Sequence, residues 1–216
     1  MKNQLTLGVV ATLFIVGATA CKDPNAEKTK AQVSEAKAVS SESAAAVKNA
    51  EALTFDQSNS KVEFVGSKVT GKHEGSFEKF SGNVKLVADK VETSQLSVDV
   101  DTTSVKTDQE KLTGHLKSPD FFDVAKYPSA KFVTTEIKTG GEKGATHTVT
   151  GNLNLHGVEK SISFPATVSV TADAFSASAE FTINRKDFGI VYAGKADDLI
   201  NDLVALKLTI KAPRKK

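Results

Sequence analysis

The chain has 216 residues, enough for one ordinary domain with added segments and too few for two large ones. Its 28 Lys and Arg against 26 Asp and Glu leave a net charge of +2 with both signs interspersed, which excludes the strong one-signed field that recruits nucleic acid. A single cysteine, Cys21, excludes an intramolecular disulfide and a multi-cysteine metal site.

Lys2 precedes an apolar run from Leu5 to Ala18, too short for a membrane span of about 20 residues and right for the apolar region of a secretory signal. Ala18, Thr19 and Ala20 lead directly into Cys21, which resembles the bacterial lipobox, where the cysteine is lipidated and becomes the mature N-terminus. This predicts a signal peptide over 1–20 and an exported cell-envelope lipoprotein, at the outer membrane or the periplasmic face. An ordinary cleaved signal with an incidental cysteine is the plainer alternative. Residues 21–52 then read as the lipidated N-terminus and a flexible tether, too poor in large apolar residues to offset the entropy of ordering. Within them, the Ala-rich stretch from Ser43 to Ala52 is expected to be partly helical, since Ala, Glu and Lys are good helix formers.

Beyond Leu53 the hydrophobic period becomes two, the strand signal. Leu96, Val98 and Val100 alternate with polar neighbours, as do Ile162 to Val170, Phe175 to Ile183 and Val204 to Ile210. Weaker strands fit Lys61 to Val69, Glu74 to Val87, Lys131 to Lys138 and Thr146 to His156, giving about eight in all. Pro165 marks an edge or a bulge. One helix interrupts the series: Thr107, Asp108, Gln109 and Glu110 read as a capping box and Pro119 as its end. The connection from Thr102 to Ser129 is therefore long, and it carries Phe121, Phe122 and Tyr127, expected to lie across the mouth of a barrel.

Period alone does not separate a sandwich from a barrel. An eight-stranded barrel is either just filled by side chains or able to hold one small ligand. The apolar faces mix Phe with Gly151, Ala166, Ala177 and Ala179, which leaves lumen volume in some registers and a solid core in others. No nucleophile elbow, phosphate loop, dinucleotide fingerprint or HExxH helix occurs, so no catalytic residue, metal or cofactor is assigned. His147 and His156 lie an odd number of residues apart, on opposite faces of one strand, and each of the four histidines is expected to make its own hydrogen bond.

HLKSPDFFDVAKYPSAKF (115–132), GNLNLHGVEKSISF (151–164) and INRKDFGI (183–190), with GSFEKFSG (75–82), resemble the successive signatures of the YceI-like family over nearly the whole stretch from Leu53 to Ala212. The resemblance implies an eight-stranded antiparallel lipocalin-like barrel over 53–216, exported, with an elongated cavity for an isoprenoid or fatty-acid-like chain. On that expectation Phe64, Leu86, Val98, Phe132, Leu153, Phe164, Phe181 and Leu206 face the lumen, Phe121 and Phe122 close the mouth, and His115 and Arg185 are polar groups near it. Each has packing as its plainer role.

The expected function is a membrane-tethered lipid-binding protein, its partners an apolar small molecule and, through Cys21, a membrane. An envelope interaction or stress protein with a filled barrel is the alternative. A lipid- or quinone-directed enzyme is third, and the outward placement of charges such as Asp99 and Glu180 argues against it. Oligomeric state, including a homodimer, stays open.

Overall fold

The computed structural model describes residues 23–38 and 50–214. The expected signal peptide, Cys21 and most of the Ser43 to Ala52 stretch lie outside the described residues.

The strands are β1 Gln32–Glu35, β2 Glu51–Asp56, β3 Lys61–Lys68, β4 Gly71–Phe77, β5 Phe80–Val87, β6 Lys90–Asp101 and β7 Val105–Thr107. After a helix, α1 Glu110–Leu116, come β8 Ser129–Thr139, β9 His147–Leu155, β10 Val158–Val170, β11 Ala174–Asn184, β12 Gly194–Lys195, β13 Asp198–Leu199 and β14 Leu203–Pro213. The main sheet runs β2-β5-β6-β8-β9-β10-β11-β14-β3-β4-β7, with β1 added on β10, while β12 and β13 form a separate hairpin.

This sheet has twelve strands because three of the expected eight are bent and a short β1 is added. β2 and β3 are successive halves of one strand, paired with β5 and β4, the halves of the next. The ladder survives the bend: the Glu78 N–H donates to the Ser104 carbonyl at 3.2 Å and the Asp101 N–H to the Lys79 carbonyl at 3.0 Å. Because β4 pairs with β3 and β5 pairs with β6, the bent strand joins the two ends of the order and rolls the sheet into a lipocalin-like barrel.

Alternation fixes the inner face. Ile162, Phe164, Ala166 and Val168 of β10 and Phe175, Ala177, Ala179, Phe181 and Ile183 of β11 all point inward. In β8 the register slips between Thr134 and Glu136, so the inward set changes parity from Ala130, Phe132 and Thr134 to Ile137. Two-residue turns with left-handed φ close two hairpins: Ala88 and Asp89 (49° and 59°) and His156 and Gly157 (54° and 75°), the geometry that matches strand twist.

Two expectations are corrected. The capping box does not form: Thr107 is held in the β4–β7 ladder opposite Gly75, and the helix N-cap is Gln109, which makes no side-chain cap. The Thr113 hydroxyl reaches back instead and accepts from the Thr107 N–H at 2.9 Å.

The described part of the tether is not free either. The Ala31 N–H donates to the Thr182 carbonyl and the Thr182 N–H to the Thr29 carbonyl, both at 2.8 Å, while β1 pairs antiparallel with β10 through Gln32↔Ser163 to Glu35↔Lys160. β10 and β11 pair with each other only from Thr167↔Ser178 to Val170↔Phe175. Residues 29–35 therefore fill a slot in the wall where those strands part, and Ala31, 2% exposed, joins the core. Pro165 sits between the two pairing segments of β10, where its missing N–H costs no ladder bond on that side.

Candidate ligand-binding site

A cavity of about 700 Å³ runs down the barrel, lined by Phe64 and Leu206 near one end, Phe132, Phe164 and Phe181 along its middle, and Val168, Phe175 and Ile210 toward the other. Its inward residues on β11 run from Phe175 to Ile183, about 26 Å of strand at about 3.3 Å per residue and about 20 Å of depth at a tilt of about 40°. The volume lies in the range of pockets that enclose a small organic ligand, roughly 300–1,000 Å³.

Aromatic rings form the wall. Phe164 and Phe181 stack at 4.0 Å between centroids with planes 11° apart, and Phe132 lies 5.8 Å from Phe164. Glycine makes room for such rings: a Cβ on Gly151 would stand 2.4 Å from Phe132 Cζ, and one on Gly75 would stand 2.2 Å from Phe64 Cζ. Gly151 thus receives a ring rather than leaving the lumen volume expected of it. Ala166, Ala177 and Ala179 do line the cavity.

At the mouth a second apolar cluster forms around Phe64, Val105, Leu116, Phe121 and Ile190, with Phe77, Phe122 and Tyr192 packed against it. Phe121 and Tyr192 meet edge to face at 5.4 Å, Phe77 and Phe122 at 5.6 Å, and the His115 imidazole stands 5.0 Å from Phe121 and 5.2 Å from Tyr192. His115 Nε2 is 2.8 Å from a carboxylate oxygen of Asp120. The long connection therefore rests on the barrel through its aromatics, with His115 tying α1 to the turn that follows it.

Arg185 is the one guanidinium buried among the described residues, 4% exposed. It follows β11 directly and spends its N–H groups on the backbone of the mouth: Nη1 donates to the Ile190 carbonyl at 2.7 Å, Nε to the Asn201 carbonyl at 3.1 Å, and Nη2 to the Ile200 carbonyl and the Asp202 carboxylate at 3.3 Å. Burial pulls its pKa down, opposed by the Asp202 charge. Across the rim, Asp198 accepts from Lys68 and from the Thr70 hydroxyl, which hold its carboxyl below the usual range. The other histidines each have their own partner: His73 with Asp108, His147 with the Thr146 hydroxyl and His156 with the Phe188 carbonyl. Among the described residues no group of three or more His, Cys, Asp or Glu is placed to hold a metal ion.

Phe64, Val98, Phe132, Leu153, Phe164, Phe181 and Leu206 lie on the cavity wall, with Phe121, Phe122, His115 and Arg185 at the mouth. Leu86 does not. It is 1% exposed within the packed core, opposite Glu51 of β2, at the end where Phe55 and Leu53 fill the space. Wall residues beyond that set include Val62, Leu96, Val149, Leu155, Ile162, Phe175, Tyr192 and Leu208. Most continue the same alternation; Tyr192 stands in an irregular loop and carried no periodic signal.

Comparison with known proteins places this geometry. Residues 53–212 match the YceI-like domain. A UPF0312 protein of Pseudomonas putida is 39% identical over 133 residues, 59% of this chain and 68% of that protein. A UPF0312 protein of Pseudomonas syringae pv. tomato is 37% identical over 150 residues, 66% of this chain and 74% of that protein. Among solved structures, Burkholderia cenocepacia BcnA superposes with a TM-score of 0.64 at 26% identity, covering 73% of this chain and 98% of BcnA. A polyisoprenoid binding domain from Saccharophagus degradans shares the fold, with a TM-score of 0.60 at 17% identity over 77% of this chain and all of that one. With a barrel of this topology and a match over most of its length, the chain belongs to the YceI-like family.

Proposed function

We propose that this protein is a membrane-tethered carrier that holds one long apolar chain, isoprenoid or fatty-acid-like, in its barrel for sequestration, transport or storage in the cell envelope. The observation that carries the reading is the lumen itself: a deep, apolar cavity of about 700 Å³ walled by side chains of the buried core. A chain drawn into it leaves water at roughly 0.8 kcal/mol per buried CH₂, so affinity rises with chain length until the cavity is full. Shape sets the upper limit, and the mouth, with His115 and Arg185 already engaged by the protein, leaves the ligand headgroup near solvent. The polyisoprenoid-binding relative of like fold supports the ligand class. The tether rests on the lipobox-like run into Cys21.

Native mass spectrometry of the full chain purified from its own host, with extraction of any released molecule, tests the cargo. A stoichiometric long-chain lipid is expected; a barrel that is empty and refuses added isoprenoids and fatty amides would return the protein to the interaction reading. Cell fractionation tests the tether separately. Cys21→Ser is expected to move the protein from the membrane to the soluble fraction, and retention at the membrane would refute the anchor.

A further inference from the structure

We infer that the open end of the barrel docks face-on against a lipid bilayer, so that cargo passes between membrane and cavity without crossing water. The inference rests on the anchor reading of Cys21 and adds to it an orientation.

The described chain begins at the mouth, not at the far end of a long tether. The Asp23 carboxylate accepts from the Ser67 hydroxyl at 3.0 Å, and the same hydroxyl accepts from the Asn201 side chain at 3.0 Å. Ser67 and Asn201 both line the cavity near its opening. Asn25, 1% exposed, donates to the Val65 and Leu203 carbonyls at 3.0 and 3.2 Å and fixes the segment between β3 and β14. Two peptide units separate Asp23 from Cys21 and span at most about 7 Å. Chain length alone thus limits the attachment point of an acyl group on Cys21 to about 7 Å from Asp23 at the rim.

The rim is built to meet a membrane at that place. Val69, Val191 and Leu199, exposed by 48%, 64% and 48%, are the large apolar side chains left exposed among the described residues. Scattered singly they would mean little, but all three stand at the mouth. Val69 is the tip of the β3–β4 turn, and its N–H donates to the Leu199 carbonyl at 3.0 Å, which joins that tip to the β12–β13 hairpin. Val191 adjoins Tyr192 of the cavity wall. Around them Lys68 pairs with Asp198, Lys72 with Glu74 and His115 with Asp120, and Lys111 and Lys195 also line the opening, so the face carries both signs and docks through its apolar tips.

The test uses the full, lipidated chain in phosphatidylcholine vesicles. Single cysteines at Val191, Leu199 or, at the opposite end, Ala172 are labelled with a thiol-reactive fluorophore; an acylated Cys21 has no free thiol. Nitroxide-bearing lipid is expected to quench the Val191→Cys and Leu199→Cys probes several-fold more than Ala172→Cys, with aqueous iodide giving the reverse order. Protein that floats with the vesicles but shows equal quenching at both ends overturns the orientation while leaving the anchor intact. Protein that does not float overturns both. Mouth probes that no lipid quencher reaches, yet that cross-link to an envelope protein in cells, would make the face a protein interface and overturn the proposal as well.

Discussion

Filling the lumen at Ala177 and Ala179 is expected to abolish uptake of a long-chain ligand while leaving the fold intact. Both residues point inward from β11, opposite Ile210 and Leu208 of β14, and both are only half-buried because the cavity lies in front of them. Ala177→Phe with Ala179→Leu adds side chains to space that holds no protein atoms, so little need move to admit them. The ligand's path runs past both positions. At least a ten-fold loss of affinity is expected, about 1.4 kcal/mol or more, read by titration with a fluorescent polyene, with a thermal midpoint within a few degrees of the parent. Thr167→Lys, on the outer face of β10, serves as the control and is expected to bind normally. Unchanged uptake by the filled variant would mean that the ligand does not occupy the lumen. The filled variant is a cleaner test than Phe164→Arg, which would also block uptake but would place an unpaired charge against the stacked Phe181 ring and risk unfolding the wall.

Removing the Arg185 guanidinium is expected to be the most damaging single change at the mouth. Three backbone carbonyls and the Asp202 carboxylate converge on it, and Arg185→Met would leave all four without that donor. Breaking a buried ion pair costs about 3–5 kcal/mol. Asp202 is 39% exposed and partly screened by water, so about 3 kcal/mol is the better expectation here. Arg185→Lys should not restore it, because one ammonium cannot span donors aimed at Ile190, Ile200 and Asn201 together. Chemical denaturation measures the loss, and hydrogen exchange should locate it in residues 190–202. Parent-like stability and exchange in Arg185→Met would refute the view that this side chain holds the mouth loop.

Much of the lumen was legible because a strand's faces alternate without exception until the register slips. Phe164, Phe181, Leu153 and Leu206 each lie inside a run of inward-facing apolar residues and stand on the wall. Leu86 fails for a reason its own strand does not carry: it is packed into the core at the end of β5 beside β2, a short apolar alternation of Leu53 and Phe55 at the edge of the charged N-terminal stretch. Gly151 fails because the ring that fills it comes from Phe132 on the neighbouring strand, a diagonal pairing visible only once the register is known. The capping-box pattern was outvoted by tertiary pairing, since the ladder with β4 held its threonine two residues short of the cap. The segment around Ala31 and Val33 carries no strand signal because two apolar residues in alternation are too few to mark one; the slot between β10 and β11 selects them.

That slot bears on where the barrel wall would otherwise present open strand edges. A rolled sheet escapes edge-to-edge association only where every strand has neighbours on both sides. Above Pro165, β10 and β11 have lost each other, and without residues 29–35 their upper halves would present rows of unused N–H and C=O groups a few residues long. The stretch that matches the family, 53–212, does not contain the piece that seals this seam. A protein trimmed to that boundary would carry two raw strand margins facing solvent, able to capture an extended peptide or the same margins of a second copy. The leading segment thus acts as the barrel's ninth stave, and residues 53–212 of this chain, taken alone, leave the wall open at that seam.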